Sequence, residues 1–105
     1  MEPITFESLA AQVEIPTDGT LSRVLYKDDK IRVVAFAFDI GQELTEHTAA
    51  VPALIEVITG RFRVTLGETA IDETEPGFWS HLPANLPHSV EALAPGVLLL
   101  TLLHG

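Results

Sequence analysis

Apolar residues in this chain recur with a period of two, and short turn signals cut the pattern into pieces. Arg61-Phe62-Arg63-Val64-Thr65-Leu66 alternates cleanly. Phe62, Val64 and Leu66 share one face while Arg61, Arg63 and Thr65 share the other, as in a half-buried strand. Residues 31–38 are apolar on both faces after Arg32, the pattern of a strand covered on both sides. Residues 54–58 and 97–103 are further short apolar runs, and 78–82 is a further expected strand. Asp28-Asp29, Thr59-Gly60, Leu66-Gly67, Glu75-Pro76-Gly77, Pro83-Ala84-Asn85 and Pro95-Gly96 separate these runs. Gly and Asn tolerate the left-handed backbone of tight turns, and Pro fixes their entry. Roughly eight or nine strands are expected on this spacing. Only residues 5–13, with Phe6, Leu9 and Val13 near helical spacing, suggest a short helix. The fold class is therefore all-β, with two facing sheets closed as a barrel or jelly roll, in a single domain covering 1–105.

Charge and composition narrow the function. Fifteen acidic residues against six basic ones give a net charge of −9. That surface repels phosphate backbones, so no nucleic-acid partner is expected. Cysteine is absent, which excludes disulfides, thiolate nucleophiles and Cys-based zinc sites. The chain opens Met1-Glu2-Pro3, acidic where a signal peptide would be basic. Its longest apolar run, 92–103, is broken by Pro95-Gly96 and falls short of the ~20 residues that a bilayer span needs. The expectation is a cytoplasmic protein with no membrane partner.

The chemistry-bearing residues are histidines: His47, His81, His88 and His104. Histidine is the commonest metal ligand and the usual acid or base near neutral pH. A lone histidine is more often structural or solvated, so context decides. Gly41 precedes His47 by six residues, and Gly60 follows it. Gly77 leads through Pro83-Ala84-Asn85-Leu86-Pro87 to His88.

This spacing resembles the two motifs of the cupin family, with motif one over 41–60 and motif two over 77–92. Gly41, His47, Gly60, Gly77, Pro83 and His88 fall in register with them. The resemblance is to a small single-domain cupin, of the cupin 2 conserved-barrel kind, with a degenerate first motif. It implies a double-stranded β-helix of RmlC-like type. It also implies His47 and His88 as metal ligands, holding a divalent ion such as Zn, Fe, Mn or Ni. The departures bear on function. Ala49 stands where the family has its second His, and Ala53 where it has its Glu. Asn85 replaces the motif-two Gly and Ala92 the closing Asn. Two imidazoles need further donors to hold an ion firmly. Glu43 has the same strand parity as His47 and is a candidate. His81 is another, although Trp79 and His81 share the face opposite Phe78, Ser80 and Leu82, and the latter resembles the barrel lining. His104 sits at the chain end and is assigned no role.

Two functions follow. One is a metal-dependent cupin, a dioxygenase or isomerase. The other is a metal-free barrel that binds or senses a small organic molecule, for which Ala49 and Ala53 leave an apolar, roomy mouth. The expected partners are a small-molecule ligand and a second copy of the chain. A small barrel must cover its strand edges, and the family resemblance suggests residues 21–38 for that homodimer contact.

Overall fold

The period-two segments pair into two antiparallel sheets in this computed structural model, which describes residues 1–105. The strands are β1 Thr20–Lys27, β2 Ile31–Phe38, β3 Glu43–His47, β4 Ala53–Thr59, β5 Phe62–Leu66, β6 Thr69–Thr74, β7 Trp79–Leu82, β8 His88–Ala92 and β9 Gly96–Leu103. One sheet has the order β1-β2-β9-β4-β7, the other β3-β8-β5-β6. From β2 to β5 and from β6 to β9 sequence neighbours alternate between the sheets, as in a double-stranded β-helix, while β1–β2 and β5–β6 are hairpins within one sheet. The strands expected at 31–38, 54–58, 61–66, 78–82 and 97–103 all form, within one residue at each end.

Between the sheets lies a ten-residue core that includes Phe38, Ile55, Val57, Phe62, Val64, Leu82 and Leu98. Phe38 and Phe62 come from opposite sheets and meet edge to face, 5.4 Å between ring centres, the favoured arrangement of aromatic quadrupoles. A second cluster, Val13, Ala35, Ala37 and Val97, lies on the outer face of the five-stranded sheet. It explains why β2 is apolar on both faces. Phe38 turns inward, while Ala35 and Ala37 turn outward beneath the N-terminal arm.

The helix expected over 5–13 does not form. The arm makes one 3-10 turn at Ala10–Gln12, where Ser8 Oγ accepts a hydrogen bond from the Ala11 amide. So short a segment gains little from helix formation in isolation. Its apolar residues instead dock individually on the sheet, Val13 most deeply. No helix is long and apolar enough to cross a membrane.

Two glycines allow the sheets to close. Gly60, in the β4–β5 turn, has φ +81°, and a Cβ there would lie 2.5 Å from the Pro95 carbonyl oxygen and 2.6 Å from the Gly96 Cα. A Cβ on Gly96 would meet the Thr59 carbonyl oxygen at 2.4 Å. The turn before β9 and the turn after β4 therefore touch backbone to backbone. Gly60→Ala combines a left-handed backbone with a clash against unyielding main chain. It should lower stability by about 2–4 kcal/mol in urea unfolding. Gly41→Ala has left-handed strain but open space around its Cβ and should cost about 1 kcal/mol.

Candidate functional site

β3 and β8 pair antiparallel, with Glu43 opposite Glu91, Leu44 opposite Val90 and His47 opposite His88. Forty-one positions apart in sequence, the two imidazoles stand side by side, their ring centres 4.1 Å apart and tilted by 57°. Two loops hold this pair. The amide of Asn85 donates to the Ala49 carbonyl at 2.7 Å, tying the loop before His88 to the loop after His47. Asn85 takes φ +67° to do so, the left-handed turn for which the family uses Gly and which Asn tolerates. At the other end of the pairing, the Gly41 amide donates to the Ala92 carbonyl and the Ala92 amide to the Gln42 carbonyl, each at 2.8 Å.

The two histidines are anchored alike. His47 Nδ1 lies 2.9 Å from the Thr45 carbonyl oxygen, and His88 Nδ1 lies 2.9 Å from that of Leu86. A carbonyl only accepts, so each Nδ1 carries a proton, and in the neutral ring each Nε2 then presents a lone pair. His88 is 4% exposed, and its Nε2 has no hydrogen-bond partner. His47 is half-buried and forms the accessible side of the pair. Across β8, His88 is flanked by Leu66 of β5, so no charged side chain neighbours it in the row.

Burial holds the His88 imidazole below its ordinary value, and the nearby His47 adds to the effect. The bond to the Leu86 carbonyl opposes them. Charging the ring would place a cation in apolar surroundings beside another imidazole.

The other candidates lie elsewhere. Glu43 has the parity of His47, but a bulge breaks the rule: three positions separate Leu44 from His47 while two separate Val90 from His88. One extra residue on β3 turns Leu44, not Glu43, to the inner face with His47. Glu43 is exposed on the outer face, beside a groove of about 210 Å³ that it shares with Glu46, Arg63 and Glu91. His81 is exposed on β7, opposite Leu54, on the outer face of the five-stranded sheet. No group of three or more His, Asp or Glu side chains is arranged to hold a metal ion. Ala53 does not open the mouth. It is 1% exposed and belongs to the packed core. The second concavity, about 450 Å³, lies between the N-terminal arm and the β1–β2 hairpin, among Ile4, Phe6, Tyr26 and Val33, away from the histidines.

No protein-family model matches the chain. No curated protein matches it significantly either. Solved structures do. A conserved protein of unknown function from Streptococcus pyogenes is 25% identical, with 100% of this chain and 91% of that one covered, at a TM-score of 0.85. A cupin superfamily protein from Desulfitobacterium hafniense is 20% identical over 99% and 97% of the two chains, with a TM-score of 0.87. A cupin 2 conserved barrel domain protein from Leptotrichia buccalis is 28% identical over 90% of this chain and 46% of its own, with a TM-score of 0.82. Two sheets wound alternately, with one histidine from each motif paired inside, define a double-stranded β-helix of the RmlC-like kind. The chain has the fold of these barrels, and it is similar to proteins described as a cupin superfamily protein, an RmlC-like cupin and a cupin 2 conserved barrel domain protein.

The lowered His88 value sets a pH dependence. The unfolded chain protonates this residue near pH 6.5, while the folded chain keeps it neutral to lower pH. In that window the unfolded state binds more protons, so stability rises with pH. Urea midpoints of the wild type should fall as pH drops below about 6.5, until the folded ring itself protonates. His88→Gln should lack that share of the slope, whereas His81→Gln should retain it.

Proposed function

We propose that this protein binds a small, neutral organic molecule at the barrel mouth, with the Nε2 atoms of His47 and His88 accepting hydrogen bonds from its hydroxyl or amino head. The observation that carries this reading is the buried, unpartnered Nε2 of His88 beside the half-exposed His47. A buried acceptor without a partner costs about 1–3 kcal/mol, and a donor on a ligand would recover much of it. Because both Nδ1 protons are committed to backbone carbonyls, the pair offers two acceptors and no donor. The complementary ligand is a donor, not a carboxylate. The net charge of −9 disfavours anions further.

The packed core confines such a ligand to the rim, where Leu44 and Leu86 are partly buried against the core beside the histidines. Its polar head would meet His47 first and reach His88 behind it. A resident catalytic ion does not fit the donor set. Catalytic zinc sites use three protein ligands, and this chain supplies two imidazoles with Ala49 and Ala53 at the remaining motif positions. One feature favours a second reading, a loosely held divalent ion completed by water: metal-bound histidines are commonly oriented through their other ring nitrogen, as both are here.

Phenol and benzoate share an apolar ring and differ in the head. At pH 7.5, phenol should shift the imidazole NMR signals of His47 and His88, and benzoate should not. His47→Ala or His88→Ala should each weaken phenol binding by about tenfold, the worth of one hydrogen bond. Equal responses to both probes, or alanine variants that bind phenol as the wild type does, would overturn the reading. Titration with zinc chloride tests the second: saturable binding lost in either alanine variant supports it.

A further inference from the structure

A cleft of about 450 Å³ lies between residues 2–6 and the outer face of the β1–β2 hairpin. Its volume falls in the range of small-molecule sites, roughly 300–1,000 Å³. Ile4 and Phe6 of the arm form one wall, and Ile31 and Val33 of β2 form the other. The arm is anchored downstream of this wall, by Val13 in the outer cluster and by Arg23, whose Nη1 donates to the Gln12 carbonyl at 2.8 Å. No backbone hydrogen bond ties residues 2–6 to the sheet, so this wall can follow the shape of what enters. Ile4 is left 63% exposed. An apolar body in the cleft would take it out of water.

The polar groups of the lining decide which head such a body can carry. They are the Glu2 carboxylate and the Tyr26 phenol. The Tyr26 hydroxyl donates to Asp28 Oδ2 at 2.7 Å. That bond, with the Asp28 charge, holds the phenol above its ordinary value. The proton is committed to Asp28, and the phenol oxygen has only lone pairs left to offer. No lysine or arginine lines the cleft. Strand alternation keeps the basic residues of the hairpin out. Tyr26 pairs with Val33, on the face of Ala35 and Ala37, whereas Lys27 pairs with Arg32 and both turn to the opposite face. The lining therefore accepts hydrogen bonds, carries negative charge and holds two aromatic rings, Phe6 and Tyr26, whose faces attract a cation. A carboxylate finds no donor there, and a neutral alcohol leaves Glu2 without a counter-charge.

We propose that this cleft is a second ligand site, separate from the barrel mouth, and that it takes a small hydrophobic ammonium ion: an aromatic or branched aliphatic body between Ile4 and Val33, with the charged nitrogen donating to Glu2 and to the Tyr26 oxygen.

Three probes share one body and differ in the head: 2-phenylethylammonium, 2-phenylethanol and 3-phenylpropionate. At pH 7.5 and low salt, the ammonium should shift the methyl NMR signals of Ile4, Ile31 and Val33 saturably. The alcohol should bind there about tenfold more weakly for want of the charge, and the carboxylate should not bind. Glu2→Gln should weaken the ammonium by about threefold, the worth of an exposed ion pair, and leave the alcohol unchanged. Phe6→Ala should weaken both by about tenfold. Both substitutions lie in the arm, outside the sheets, and should keep the circular dichroism of the wild type. The proposal is overturned if the carboxylate shifts these methyls as the ammonium does, if the ammonium gives no saturable shift, or if Glu2→Gln binds it as the wild type does. Light scattering that shows a dimer dissolved by Ile4→Lys would overturn it too, because a second copy would then fill the cleft.

Discussion

The pairing of β3 with β8 is the interaction on which the site depends. It closes one side of the four-stranded sheet, joins the two motif segments and brings His47 against His88. Its register is set from both ends, by the Gly41 and Gln42 bonds to Ala92 and by the Asn85 bond to Ala49. A slip of one residue would carry every side chain to the other face. The bulge uses that sensitivity locally. One inserted residue lets Leu44 stay in the core and still turns His47 inward. The charged residues of β3, Glu43 and Glu46, are left outside.

Much of this was legible in the sequence because the signals were local. Alternation in 61–66 and the double-sided apolarity of 31–38 follow from a strand's period and from what covers it. Motif spacing foretold the His47–His88 encounter, and Asn85 took the left-handed turn expected of it. What was not legible is nonlocal. Parity placed Glu43 beside His47, and parity holds only in a strand without a bulge; the bulge is visible only against the partner strand. Residues 5–13 have helical spacing, yet their apolar side chains find a sheet to dock on. Ala53 suggested free space, but a small side chain in a core makes space only if its neighbours decline to fill it. Here the surrounding side chains close over it.

The site is also electrostatically quiet within a strongly acidic protein. The ion pairs Arg61–Glu73 and Arg63–Glu91 lie on exposed side chains of the four-stranded sheet, where each is worth little. On the inner face the row runs His47, His88, Leu66. Each ring gives its Nδ1 proton to a backbone carbonyl, and burial disfavours charging His88. The family motif places a carboxylate and a third imidazole where this chain has Ala53 and Ala49. Removing them changes the kind of chemistry available. A four-donor set favours a cation strongly enough to make it part of the protein, whereas two lone pairs leave the choice to whatever enters.

Packing alone does not account for His88. A leucine at that position would continue the apolar surface begun by Leu66, fill similar space and leave no acceptor without a partner. The imidazole carries a penalty that leucine would avoid. His47 does not relieve it, because His47 Nδ1–H points to the Thr45 carbonyl and its Nε2 is itself an acceptor. Two adjacent acceptors do not satisfy each other. They can be satisfied together only by something that brings donors or positive charge to both, and that requirement comes from the atoms of the site, whatever other barrels of this fold do.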